Sequence, residues 1–295
     1  TVRHVNGKAV VTLALIYAAA MGNARTVRLF PGETQILNAP KLKRSGAFFP
    51  VTFCVPLLDT TLRSIAAPRH RMLDGATVTS KNPSAKQLVS VSDPAGDDTG
   101  PVGSFVYPKS PYFKKGMFDL RKFSVALDRD NAYFTIQLGA LAQPGWHPEY
   151  GFQLTMLAIG IDQSGIPARQ SRSFGNNSRH TLPKKQGFDK LILVGGGLRI
   201  TDKEGIILAE YIPRTVKDAF GDVRSATISF AIPLSILGPN ADTWSYHIIA
   251  GAQDDHGGAG IGEFREVLPQ PAEWNGGGGS PAGSNVYDTL FAAPR

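Results

Sequence analysis

Three carboxylates, Asp93, Asp97 and Asp98, fall within six residues of Ser92-Asp-Pro-Ala-Gly-Asp-Asp-Thr-Gly-Pro101. Charges this close repel one another unless a cation or hydrogen-bond donors compensate them. Carboxylate oxygens on a Gly/Pro-rich loop are the ligand type that Ca2+ takes. Asp119, in Gly116-Met-Phe-Asp-Leu120, is expected as a fourth oxygen donor should an ion bind there. Asp side chains also bond neighbouring backbone amides in turns, so a purely structural turn is the competing reading.

A second constellation is aromatic. Trp146, His147 and Tyr150 lie in a short stretch bounded by Gly145 and Gly151. An exposed ring with polar groups beside it is what a sugar-binding site needs. Trp244 falls within a strand pattern and reads as core. Trp274 reads as packing for a closing loop.

Other chemistry finds little footing. Cys54 is the single cysteine, which excludes an internal disulfide and a cysteine-based zinc or iron–sulfur site. The Gly runs 195–197 and 276–279 form neither a dinucleotide fingerprint nor a phosphate loop. No Gly-x-Ser-x-Gly elbow is present, and the chain is expected to be non-enzymatic. Covalent haem attachment is excluded because Cys-x-x-Cys-His is missing. A b-type haem would draw on Met117, Met156, His147, His180, His247 or His256, and it ranks behind Ca2+ as a cofactor. The net charge is +7, yet the basic residues are scattered. No basic stripe interleaved with aromatics marks a nucleic-acid surface.

These residues need a scaffold, and the composition specifies its type. Charged residues are only 19% of the chain, and 32 Gly and 21 Pro punctuate it, which favours strands joined by many turns. Residues 124–127 and 132–138 alternate polar and apolar as half-buried strands do. Further strands are expected at 152–161, 191–194, 206–211, 226–232 and 244–250. Nearer the start, the candidates are 9–17, 26–30 and 48–55. The apolar run 9–21 reads as a hairpin strand before Gly22-Asn23, or as a signal or anchor segment. It is shorter than the roughly 20 residues a transmembrane helix needs, so no intrinsic span is expected. The expected architecture is all-β: a small immunoglobulin-like sandwich at 1–85, a linker at 86–91 and a larger β-sandwich at 92–295.

Residues 92–295 carry a family resemblance. Asp93-Pro-Ala-Gly-Asp-Asp-Thr-Gly-Pro101, Phe105-Val-Tyr-Pro108 and Gly116-Met-Phe-Asp-Leu120 resemble the opening of the C-terminal module of glucodextranase. That module is also found in some amylopullulanases. The similarity continues through Gly145-Trp146, Ile159-Gly-Ile-Asp162, Trp244-Ser-Tyr246, Trp274 and Asn285-Val-Tyr-Asp288. Residues 1–85 loosely resemble early-set immunoglobulin-like modules. The main resemblance implies a β-sandwich and a non-catalytic, extracytoplasmic binding or attachment role. Ala158 and Gly160 stand where the family tends to have Asp and Tyr, which removes polar and aromatic groups from one strand.

Two roles follow. The first expectation is an accessory or scaffold subunit, periplasmic or at the cell surface, that docks on and stabilises a membrane-associated protein complex. The alternative is a carbohydrate-binding module for cell-envelope polysaccharide or α-glucan. A haem electron-transfer subunit is a second alternative.

Overall fold

The computed structural model describes residues 71–294 apart from 258–259, and the backbone of three strands before them. The chain divides into two units, Thr1–Ala67 and Pro68–Arg295. In the first, β1 (Val2–Val5), β2 (Lys8–Ala14) and β3 (Thr26–Leu29) form an antiparallel sheet in that order. The apolar run thus supplies a paired strand, with Leu13 opposite Val27. The immunoglobulin-like reading of 1–85 rests mostly on residues outside the described ones.

The second unit is built from β4 (Arg71–Met72), α1 (Gly75–Val78), β5 (Lys86–Ser92), β6 (Leu120–Leu127), β7 (Asn131–Leu138) and β8 (Thr155–Asp162). It continues through β9 (Lys190–Val194), β10 (Leu198–Asp202), β11 (Ile207–Tyr211), β12 (Gly221–Asp222) and β13 (Thr227–Pro233). The one-turn α2 (Leu234–Leu237), β14 (Ser245–Asp254), β15 (Glu263–Phe264) and β16 (Asp288–Ala292) complete it. One sheet runs β12-β13-β7-β6-β5. The other runs β15-β14-β8-β9-β10-β11-β4, with β16 also paired to β14. The two face each other as a β-sandwich, as expected for the larger domain.

Side-chain period explains the layers. In β7, Ala132, Phe134, Ile136 and Leu138 are buried, while Asn131, Tyr133, Thr135 and Gln137 face outward. Phe134 stacks on its cross-strand partner Phe230 at 5.2 Å, and Tyr246 of the facing sheet meets Phe123 at 5.3 Å. By contrast, β8 is buried along all but its last residue. Leu157, Ile159 and Ile161 face the sandwich core. Met156 and Ala158 face a second apolar layer with Phe174, Leu182 and Phe188 from the loop after β8. A near-continuous apolar strand is the signature of a sheet covered on both faces.

One boundary differs from expectation. Residues 86–91 are not a linker but most of β5, the edge strand that pairs with β6. An edge strand on one layer needs to bury only one face, so Val89 is buried while Lys86 and Gln87 are exposed. Its polar character therefore resembles that of a connector. The short β4 also belongs to this unit, pairing in parallel with β11.

Candidate functional site

Three long loops meet at one end of the sandwich. They run from β5 to β6, from β7 to β8 and from β15 to β16. Val106 bridges to Gly277 in both directions at 3.0 Å. Lys109 and Ser110 donate to the carbonyls of Ala272 and Glu273 at 2.9 and 2.8 Å. Beneath them, Phe105, Phe113, Met117, Phe118, Leu154 and Tyr287 form a separate apolar cluster. Gly276 is a glycine for lack of room: a Cβ there would lie 1.6 Å from the Tyr287 hydroxyl. The loops are thus pinned by backbone bonds and a core of their own, which makes this cap a rigid base for surface groups.

Tyr107 fastens the first loop. Its hydroxyl accepts from the backbone N–H of Gly116 and Phe118 at 3.0 and 3.1 Å and donates to Asp98. Its ring stacks on Phe118 at 4.6 Å. Burial, then the Asp98 bond, drives its pKa far above the usual tyrosine value. Asp98, expected among the metal ligands, therefore has a side-chain donor as its partner.

Around it the carboxylates divide. Among the described residues, Asp93, Asp97 and Asp288 bring oxygens within 4.8 Å of one another. Asp119 stands beside them. Its Oδ2 accepts from Gly96 N–H at 2.9 Å and from Arg121 at 2.7 Å. Its Oδ1 is buried with no hydrogen-bond partner among the described residues, as is Oδ2 of Asp93. Burial, reinforced by the charges of Asp97 and Asp119, pushes Asp93 up to about 6. Burial, with Asp93 and Asp97 nearby, pushes Asp288 up to about 7. Asp119 is raised by burial first and by Asp98 and Asp97 after it. Asp288 was not among the expected ligands. It opens β16, and its register opposite Ala250 delivers it to the cluster. The one sequence signal was its place in Asn285-Val-Tyr-Asp288, a carboxylate entering an apolar strand.

The aromatic site is also rearranged. Trp146 is 47% exposed, as the sequence reading requires of a platform. Tyr150 is only 2% exposed, and its hydroxyl accepts from Gly260 N–H at 3.1 Å. Its ring is a core group and no platform. His147 is half-buried, stacked on Tyr150 at 5.1 Å with Nδ1 3.1 Å from Glu149. The partners of Trp146 are instead Tyr112, which is 43% exposed, and Trp274. Ring centroids lie 5.0 Å apart for Tyr112–Trp146, 5.9 Å for Trp146–Trp274 and 6.1 Å for the stacked Tyr112–Trp274 pair. Each ring comes from a different loop of the cap. Trp274 also packs against Phe113 at 6.1 Å, so it roots the trio in the apolar cluster.

Other candidates are accounted for by packing. Met117 and Met156, considered for haem, are fully buried among core side chains. Trp244 is buried, as its strand pattern indicated. Ala158 and Gly160 lie on the covered outer face of β8, and a Cβ on Gly160 would lie 2.7 Å from the Phe188 ring. The polar and aromatic groups missing from these two positions leave a packed layer rather than an open face.

No helix among the described residues is long and apolar enough to cross a membrane. The comparison with curated proteins gives no match. A family comparison matches residues 88–294 to the C-terminal binding module, SLH-like, of glucodextranase. It describes a binding module and no catalytic domain, and it lends no support to a scaffold role in a membrane complex. With more than half of its length matched, the chain belongs to the family of SLH-like C-terminal binding modules of glucodextranase.

Proposed function

We propose that residues 88–294 form a carbohydrate-binding module that holds polysaccharide at the cell surface or elsewhere outside the cytoplasm. The observation that carries this reading is the open three-ring cluster of Tyr112, Trp146 and Trp274. Pyranose rings have an apolar face that packs on aromatic rings, while their hydroxyls stay hydrated or bond nearby polar groups. Rings tilted at 57° and 69° to Trp146 make an angular surface suited to a chain of sugars rather than a flat patch. The cap beneath them is fixed by backbone bonds, so little ordering entropy is lost on binding. The family's description as a binding module supports the same reading.

Affinity electrophoresis tests it. The protein is run through gels containing soluble starch, dextran or extracted cell-envelope polysaccharide, beside an inert control protein. Retardation in at least one gel is expected. Unchanged mobility in all of them would remove the carbohydrate reading.

A further inference from the structure

We propose that Asp93, Asp97 and Asp288 hold a Ca2+ ion that ties the start of β16 to the loop leaving β5. The proposal stands on the carboxylate cluster and does not depend on the glycan reading.

The geometry fits a hard cation of this size. Ligand oxygens at about 2.3–2.6 Å from a shared Ca2+ lie at most about 4.6–5.2 Å apart. The three oxygens here are within 4.8 Å of one another. Mg2+, at about 2.0–2.1 Å, demands near-ideal octahedral placement and holds its waters, whereas Ca2+ accepts irregular sets of oxygens. All the donors are carboxylate oxygens, which suits neither zinc nor a softer metal.

A second observation points to a ligand independently. Asp119 is 2% exposed and stands beside the three, close enough for its charge to act on Asp93, and it is bonded to Gly96 of the same loop. Among the described residues its Oδ1 has no partner, and neither has the buried Oδ2 of Asp93. A buried carboxylate oxygen left unpaired is costly, because it has lost water and gained nothing. Among the described residues Arg121 is the one cation bonded there, and it faces Asp119. A divalent ion supplies the missing partner for these oxygens, with Asp119 Oδ1 joining directly or through a bound water.

The ion would also have a mechanical role. Asp288 begins β16, Asp93 follows β5, and Asp97 lies within the loop that continues to Tyr107 and Tyr112. Joining them closes the end of the sandwich across segments distant in sequence.

The test is calorimetric titration of CaCl2 into chelator-treated, desalted full-length protein, paired with thermal unfolding with and without CaCl2. One equivalent is expected to bind, with a Kd no weaker than about 10⁻³ M. Ca2+ should raise the unfolding temperature, and Mg2+ should bind at least about tenfold more weakly. Asp97 is exposed, so Asp97→Asn should leave the fold intact while weakening Ca2+ binding by about tenfold or more. Asp288→Asn should weaken it further, and Asp97→Asn remains the decisive variant should Asp288→Asn fail to fold. Wild type showing neither heat nor thermal shift in about 10 mM CaCl2 would overturn the proposal. So would Asp97→Asn binding as wild type does, or Mg2+ binding as tightly as Ca2+.

Discussion

Replacing Tyr107 by Phe removes one oxygen and disturbs three partners. The Gly116 and Phe118 N–H groups lose their acceptor, and Asp98 loses its donor. Asp98 and both N–H groups belong to buried residues, and the ring packing on Phe118 is preserved in the variant. Each buried polar group left without a partner costs about 1–3 kcal/mol. Taken at the lower part of that range, two orphaned amides and a carboxylate short of one donor together amount to about 3–5 kcal/mol. In a unit of this size, 1 kcal/mol moves the melting temperature by about 2–4 °C, so a fall of about 10 °C is expected. Intrinsic tryptophan fluorescence reports this unit alone, because Trp146, Trp244 and Trp274 are the chain's only tryptophans. A fall of less than about 3 °C would refute the assignment of Tyr107 as the anchor of the first loop.

Three further outcomes are expected. Tyr150→Phe should lose the bond from Gly260 and about 0.5–1.5 kcal/mol of stability in urea unfolding, with polysaccharide affinity unchanged; a fall in affinity would restore Tyr150 to the site. Gly100→Ala should be much more damaging than Gly96→Ala in thermal unfolding. Both have positive φ, but a Cβ on Gly100 lies 2.4 Å from the Phe105 ring, whereas nothing lies within 4 Å of one on Gly96. Asp128 accepts from Tyr133, Asn82 and the amides of Asp130 and Asn131, which hold its pKa below its ordinary 3.8. Because the folded pKa is depressed, its stabilisation is complete above pH ~4 and is lost as pH falls towards the folded value. Asp128→Asn should therefore cost about 1–2 kcal/mol at neutral pH in denaturant titrations, with the difference from wild type shrinking below pH ~4.

Much of the fold was legible because period-2 patterns report one buried face. β7 reads directly from its alternation, and β8 from its unbroken apolar run. β5 was missed because an edge strand with one covered face and a Lys-Gln start looks like a polar connector. The sites were legible only in part, because both are assembled by tertiary structure. The local Asp cluster announced Asp93 and Asp97, but strand register brings Asp288 to them. Trp146 stood out as a loop aromatic. Its neighbour Tyr150, equally loop-like in sequence, is buried and bonded to Gly260. Tyr112 and Trp274 join Trp146 only because bonds from Lys109 and Ser110 to Ala272 and Glu273 align their loops.

The central claim is that the three-ring cap grips a polysaccharide, and Trp146→Ala tests it most directly. The side chain is about half exposed, leaving roughly 100 Å² of ring to cover. At about 25 cal/mol per Å², full coverage would contribute up to about 2.5 kcal/mol. A sugar covers only part of the ring, so affinity should fall by roughly ten- to fiftyfold on a polysaccharide that retards wild type. The melting temperature should change little, since the ring is a surface group. Trp146→Ala retarded as strongly as wild type, with its fold intact, would contradict the account.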